Sequence, residues 1–158
     1  MATRTPNLGL NTWLESDVVN FEEVNENFEK IDTMVMCIES GEVTSSYSGG
    51  VSGSTTWKYK KYSDGSIDIS TKMEFTNVKC NGGSAAPYYS GTTTLYFPFT
   101  LSQVNDVQMH LASNNIGWVS DITGQSVLDK VMFRLLAMEY ESDYEYKQVF
   151  INVKGVMA

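Results

Sequence analysis

One histidine, two cysteines and three prolines in 158 residues leave little of the usual equipment of a catalyst. Nucleophilic catalysis pairs a nucleophile with a base, most often His. The single His110 falls in an alternating strand pattern where Met109 and Leu111 turn inward, so it faces solvent or an interface. No run approaches the roughly 18 apolar residues of a membrane span, and the N-terminus lacks a basic-then-apolar signal pattern. Membrane insertion is therefore not expected; synthesis and assembly in a cytoplasm are. Cys37 and Cys80 offer neither a disulfide framework nor closely spaced metal ligands, and read as free thiols.

Positive charge is scarce as well: 11 Lys and Arg stand against 19 Asp and Glu. Residues 1–53 hold two basic and nine acidic residues, a net of −7, whereas residues 54–158 hold nine and ten, a net of −1. Neither part has the basic patch that nucleic-acid binding requires. Paired carboxylates are no better represented. Asp64 is a turn residue and Asp68 has a lysine partner across the hairpin, so they make a poor glycosidase pair. The acidic run Glu139, Glu141, Asp143, Glu145 alternates with tyrosines and reads as a solvated loop without the Gly-centred spacing of a calcium site. No Gly-rich phosphate cradle precedes a helix. The expectation is a non-enzyme with no catalytic residue, cofactor or metal.

What is present divides into four stretches. Residues 1–16 read as an extended arm, broken by Pro6 and Gly9, whose apolar Leu8, Leu10 and Trp13 are ordered only when docked on the chain's own helix or on another chain. In residues 17–40, Phe21, Val24, Phe28, Ile31, Val35 and Ile38 recur at spacings of three and four, the a/d repeat of a coiled coil. Asn20 with Glu23 fits a capping box, Gly41 a C-terminal stop, and Glu26 with Lys30 a favourable i,i+4 pair. So short a helix is marginal alone, and its narrow stripe favours self-association. Phe at two a positions suits three strands. Residues 41–56, rich in Gly, Ser and Thr, read as a linker.

Residues 57–158 read as a β head. Residues 57–62 and 67–71 flank Ser63-Asp64-Gly65, and a three-residue loop with Gly65 left-handed pairs Trp57 with Thr71, Tyr59 with Ile69 and Lys60 with Asp68. That register gathers Trp57, Tyr59, Ile67 and Ile69 on one face. Residues 131–138 and 148–153 look like central strands, with a helical alternative over 126–138. The expected fold is mainly β: a short N-terminal coiled-coil helix, then a jelly-roll-like β-sandwich. A near-neutral head favours stacking and hydrogen bonding over electrostatic capture. Tyr88 and Tyr89, in a long loop, and Asn114, Asn115 and Trp118, in a second turn-rich segment, are the candidate ligand contacts. The alternative is that these rings cap the core or fill a subunit interface.

Two segments resemble a known family. Thr5-Pro6-Asn7-Leu8-Gly9-Leu10, followed by Val24-Asn25-Glu26-Asn27-Phe28-Glu29-Lys30-Ile31-Asp32, resembles the N-terminus of bacteriophage and prophage tail-fibre proteins. Trp57 to Gly65 resembles the start of a small β-rich head in phage proteins of Gram-positive hosts. The resemblance implies a homotrimeric virion protein assembled in the host cytoplasm. Its arm (Pro6, Asn7, Leu8, Leu10, Trp13) would dock on other virion proteins, and its head would face a host-surface saccharide or protein. With almost no shaft, a purely structural role in capsid decoration, collar or baseplate is the alternative.

Overall fold

The computed structural model describes residues 3–4, 10–12, 20–32, 35–113, 116–121 and 128–158. These fall into two units, 1–36 and 37–158.

In the first unit, strands β1 (Thr3–Arg4) and β2 (Asn11–Thr12) form a short antiparallel ladder, and helix α1 spans Phe21–Asp32. Asn20 caps α1: its Oδ1 accepts from Glu22 N at 3.0 Å, and its carbonyl takes the first helical bond from Val24 N. Glu26 and Lys30 pair at 2.7 Å, as their spacing suggested. Asn11 is held to α1 by a reciprocal amide pair, its N donating to Asn27 Oδ1 at 2.6 Å and Asn27 Nδ2 donating to its carbonyl at 2.9 Å. The Asn11 side chain adds bonds to Glu23 O and Glu26 Oε2. At this residue the arm lies on its own helix.

The helix is shorter than its apolar repeat. Phe21, Val24, Phe28 and Ile31 lie on α1, but Val35 lies beyond it and Ile38 belongs to strand β3 (Cys37–Gly49). Pairing explains the difference, because β3 runs antiparallel to β4 (Gly53–Tyr62) over nearly its whole length. The expected linker is therefore a hairpin. Val43, Ser45 and Tyr47 alternate toward the core, and Gly41, in place of a helix stop, sits opposite Tyr59, where a Cβ would meet the ring at 3.0–3.2 Å.

The second unit continues with β5 (Ser66–Val78), β6 (Tyr88–Tyr89), β7 (Thr93–Tyr96), β8 (Leu101–Ser113), β9 (Gly117–Asp121), β10 (Lys130–Ala137) and β11 (Glu145–Met157). All pairings are antiparallel, in the order β6-β10-β7-β3-β4-β5-β11-β8, with β9 on the other edge of β10. The β expectation holds. In place of the two sheets of a sandwich, the described strands join one curled sheet. Alternation and turn spacing are common to both architectures; long strands and bulges favour the curl. β5, β8 and β11 each have 13 residues, and the ladders slip near Glu145/Lys147, Lys154/Gly155 and Val156/Met157. Such bulges bend and coil a strand.

The β4–β5 hairpin has the register its pattern dictates: Trp57 faces Thr71, Tyr59 faces Ile69 and Lys60 faces Asp68. Gly65 has φ +82°, and Asp64 Oδ1 accepts from both Ser66 N and Ser66 Oγ, closing the turn. The inward faces of the strands supply one core around Trp57, Ile67, Ile69, Phe75, Leu95, Phe133, Leu135, Val149 and Ile151. Trp57 is fully buried; its Nε1 donates to Ser45 Oγ at 2.8 Å, and Ser45 Oγ donates to Tyr96 O at 2.6 Å.

Candidate binding surface

Strand β10 brings two of the sequence candidates together. Leu136 pairs with Tyr89 of β6 on one edge and with Trp118 of β9 on the other. Directly opposed residues share a face, so Tyr89, Leu136 and Trp118 form one row on the outer side of the sheet, with neighbouring strands about 4.8 Å apart. Tyr89 and Trp118 are 40% and 41% exposed, enough to offer ring faces to a ligand. Arg134 stands two residues along β10 on the same face. Its guanidinium lies 5.1 Å from the Tyr89 ring centroid, and its Nε donates to Thr92 Oγ1 at 2.9 Å. Tyr89 is also fixed from below, because Gly82 exchanges two backbone bonds with it and a Cβ at Gly82 would collide with the ring. The result is a preorganised strip of two rings, an aliphatic spacer and a guanidinium.

Tyr88 does not join the strip. It pairs with Ala137, whose row faces inward, and packs against the core and edge-on to Tyr140 at 5.4 Å. Its place is that of a core cap. Asn114 and Asn115 lie outside the described residues, as do Pro6, Asn7, Leu8 and Trp13. His110 is on the exposed side of β8, tilted against Phe150 at 6.3 Å. Among the described residues no group of three or more His, Cys, Asp or Glu is placed to hold a metal ion.

The acidic run departs most from its sequence reading. Tyr140 and Tyr144 are exposed, but Glu141 is buried and its Oε1 pairs with the buried Lys147 ammonium at 2.7 Å. The other carboxylate oxygen accepts from Cys80 N, and Glu141 N donates to Cys80 O at 3.1 Å. Lys147 also lies 3.6 Å from Glu145. This cluster ties the segment just after β5 to the β10–β11 connection. Burial, and then the Glu141 charge, push the Cys80 thiol up to about 12. Cys80 Sγ donates to Leu135 O at 3.3 Å, whereas Cys37 is exposed. Iodoacetamide at pH 7.5 is accordingly expected to label Cys37 alone in the native chain and both cysteines in denaturant. Mass spectrometry checks this, and native labelling of Cys80 at a comparable rate would contradict it.

No family model and no curated protein matches the chain. Among solved structures, a C-terminal fragment of the R1 pyocin fibre of P. aeruginosa aligns with a TM-score of 0.44 and 12% identity. The alignment covers 87% of this chain and 32% of that one, so the chain spans about a third of the fragment's length.

Proposed function

We propose that the chain is a fibre-type virion protein, fixed to the particle by its N-terminal arm and presenting a trimeric β head to a host-surface glycan or protein. The observation that carries this reading is the stripe of α1: Phe21, Phe28 and Ile31 are 83%, 61% and 39% exposed in the single chain. A 12-residue helix is not stable in water by itself, and apolar groups at a/d spacing are covered by copies of the same helix in a coiled coil. Three such helices would set three heads side by side. Each head would offer its Tyr89–Leu136–Trp118 strip to a sugar face, with Arg134 as a hydrogen-bond donor. The resemblance of the arm and helix segments to phage fibre N-termini supports the same assignment. The inward packing of Tyr88 favours a second reading, a virion part with no receptor, since it removes one of the proposed contacts.

Light scattering of the full chain should give three times the chain mass, and Phe28→Asp with Ile31→Asp should give monomers. A monomeric wild type overturns the coiled coil. Tyr89→Ala with Trp118→Ala should abolish co-sedimentation with those bacterial cells that the wild type binds, at unchanged melting temperature and mass. If the wild type binds no cells of a broad panel, the structural reading stands instead.

A further inference from the structure

The outer face of β4, β5, β11 and β8 carries a groove of about 410 Å³, within the size range of small-ligand sites. Two cross-strand rows build it. One runs Lys60, Asp68, Lys154, Asp106, and the next runs Lys58, Ser70, Asn152, Gln108. Alternating charge in the first row suggests mutual pairing, but the carboxylates are engaged otherwise. Asp68 accepts from Tyr62 OH at 3.1 Å, and Asp106 accepts from Gln108 Nε2 at 2.8 Å. Lys58, Lys60 and Lys154 form no ion pair within 4 Å with any described residue. Residues two apart on a strand are roughly 7 Å apart and strands two apart roughly 10 Å, so the three lysine stems rise from a small triangle. Asp68 lies between Lys60 and Lys154, and beside it the groove offers the Ser70 hydroxyl and the Asn152 and Gln108 amides among the flanks of Tyr59 and Tyr62. A second depression, of about 540 Å³, shares Lys58, Ser70 and Asn152 and continues the groove toward Glu42, Lys72 and Phe150.

We infer that this groove binds an acidic polysaccharide strand, with the lysines meeting its anionic groups and the amides and hydroxyl meeting its sugar hydroxyls. Three lysines against one aspartate line the first groove, with Glu42 across from Lys58 and Asp106 across from Lys154 at its edges, in a chain of net charge −8. A neutral glycan would leave the ammonium groups unmatched, and a folded protein partner would have to fill a concave trough. The site is separate from the Tyr89–Trp118 strip and uses none of its residues.

The test is titration of the full wild-type chain with polygalacturonate, with linear polyphosphate, with neutral dextran and with single-stranded DNA, at low and at physiological salt. Polygalacturonate should bind, weaken as salt rises, and bind at least tenfold more weakly to Lys60→Gln with Lys154→Gln. Lys79→Gln with Lys130→Gln removes the same charge elsewhere and should bind as wild type does. Cell binding by Tyr89→Ala with Trp118→Ala and polygalacturonate binding by Lys60→Gln with Lys154→Gln are separate readouts, so failure of the aromatic strip leaves this result readable. Equal loss in the charge-matched control, absence of polygalacturonate binding at low salt, or dextran binding as tight as polygalacturonate overturns the proposal. Polyphosphate or DNA binding tighter than polygalacturonate overturns the polysaccharide assignment, since charge alone would then suffice.

Discussion

Glu141→Ala should lower the stability of the chain by about 3–5 kcal/mol, the usual cost of leaving one member of a buried ion pair without its partner. The residue is 3% exposed and Lys147 is 1% exposed, so removing the carboxylate takes the nearest counter-charge from a buried ammonium. Glu145, at 3.6 Å, is a looser neighbour than Glu141 at 2.7 Å and is itself partly exposed. The Cys80 N–H loses its acceptor in the same substitution. A fall of roughly 10 °C or more in melting temperature is expected. Pairing Glu141→Leu with Lys147→Met removes both charges together. It should recover most of the loss, leaving a deficit of about 1–3 kcal/mol from the stranded amide. Calorimetry on the two variants decides the matter, and a melting temperature unchanged in Glu141→Ala would show that the pair contributes nothing.

Trp57→Ala should cost a similar amount, about 3–5 kcal/mol, for a different reason. Its indole is fully buried, stands edge-on to Phe97 at 6.1 Å, and spends its N–H on Ser45. Truncation opens a cavity where the curled sheet packs β4 against the segment after β7. Trp57→Phe keeps an aromatic ring there, and Ser45 still donates to Tyr96, so the cost should fall to about 1–2 kcal/mol. Urea unfolding followed by circular dichroism separates the two. Equal losses for Ala and Phe would mean that the hydrogen bond outweighs the packing.

The sequence was legible where chemistry is local. The β4–β5 register follows from the side-chain period of two and from the one conformation Gly65 supplies at low cost, and the Asn20 cap follows from neighbours in sequence. Segments 41–56 and 139–145 depart from their sequence reading for a common reason. Ser45 and Thr55 are polar by composition but inward by position; Ser45 carries the indole N–H, and Thr55 bonds Thr71 at 2.6 Å. Glu141 likewise reads as a surface charge until the curl of the sheet brings the end of β5 over it, with Lys147 beside it. Long-range pairing decided all three, and no periodicity encodes it. Tyr89 and Trp118 were singled out separately as exposed rings. Their common row exists because β10 lies between β6 and β9, which neither segment reveals.

The place of β11 has a consequence for biosynthesis. Among the described strands β8 is hydrogen-bonded to β11 alone, and β11 also completes the free edge of β5. During translation the β3–β4–β5 meander can zip up as it emerges, but β5 and then β8 wait with a bare edge, β8 until about forty further residues are made. At about 5–20 residues per second that wait lasts roughly two to nine seconds. Through it the nascent chain presents the unpaired edges that invite pairing with a neighbouring chain. If the α1 stripe gathers three such chains, keeping those edges apart until β11 arrives becomes a matter of ribosome spacing and chaperone occupancy as well as of the finished fold.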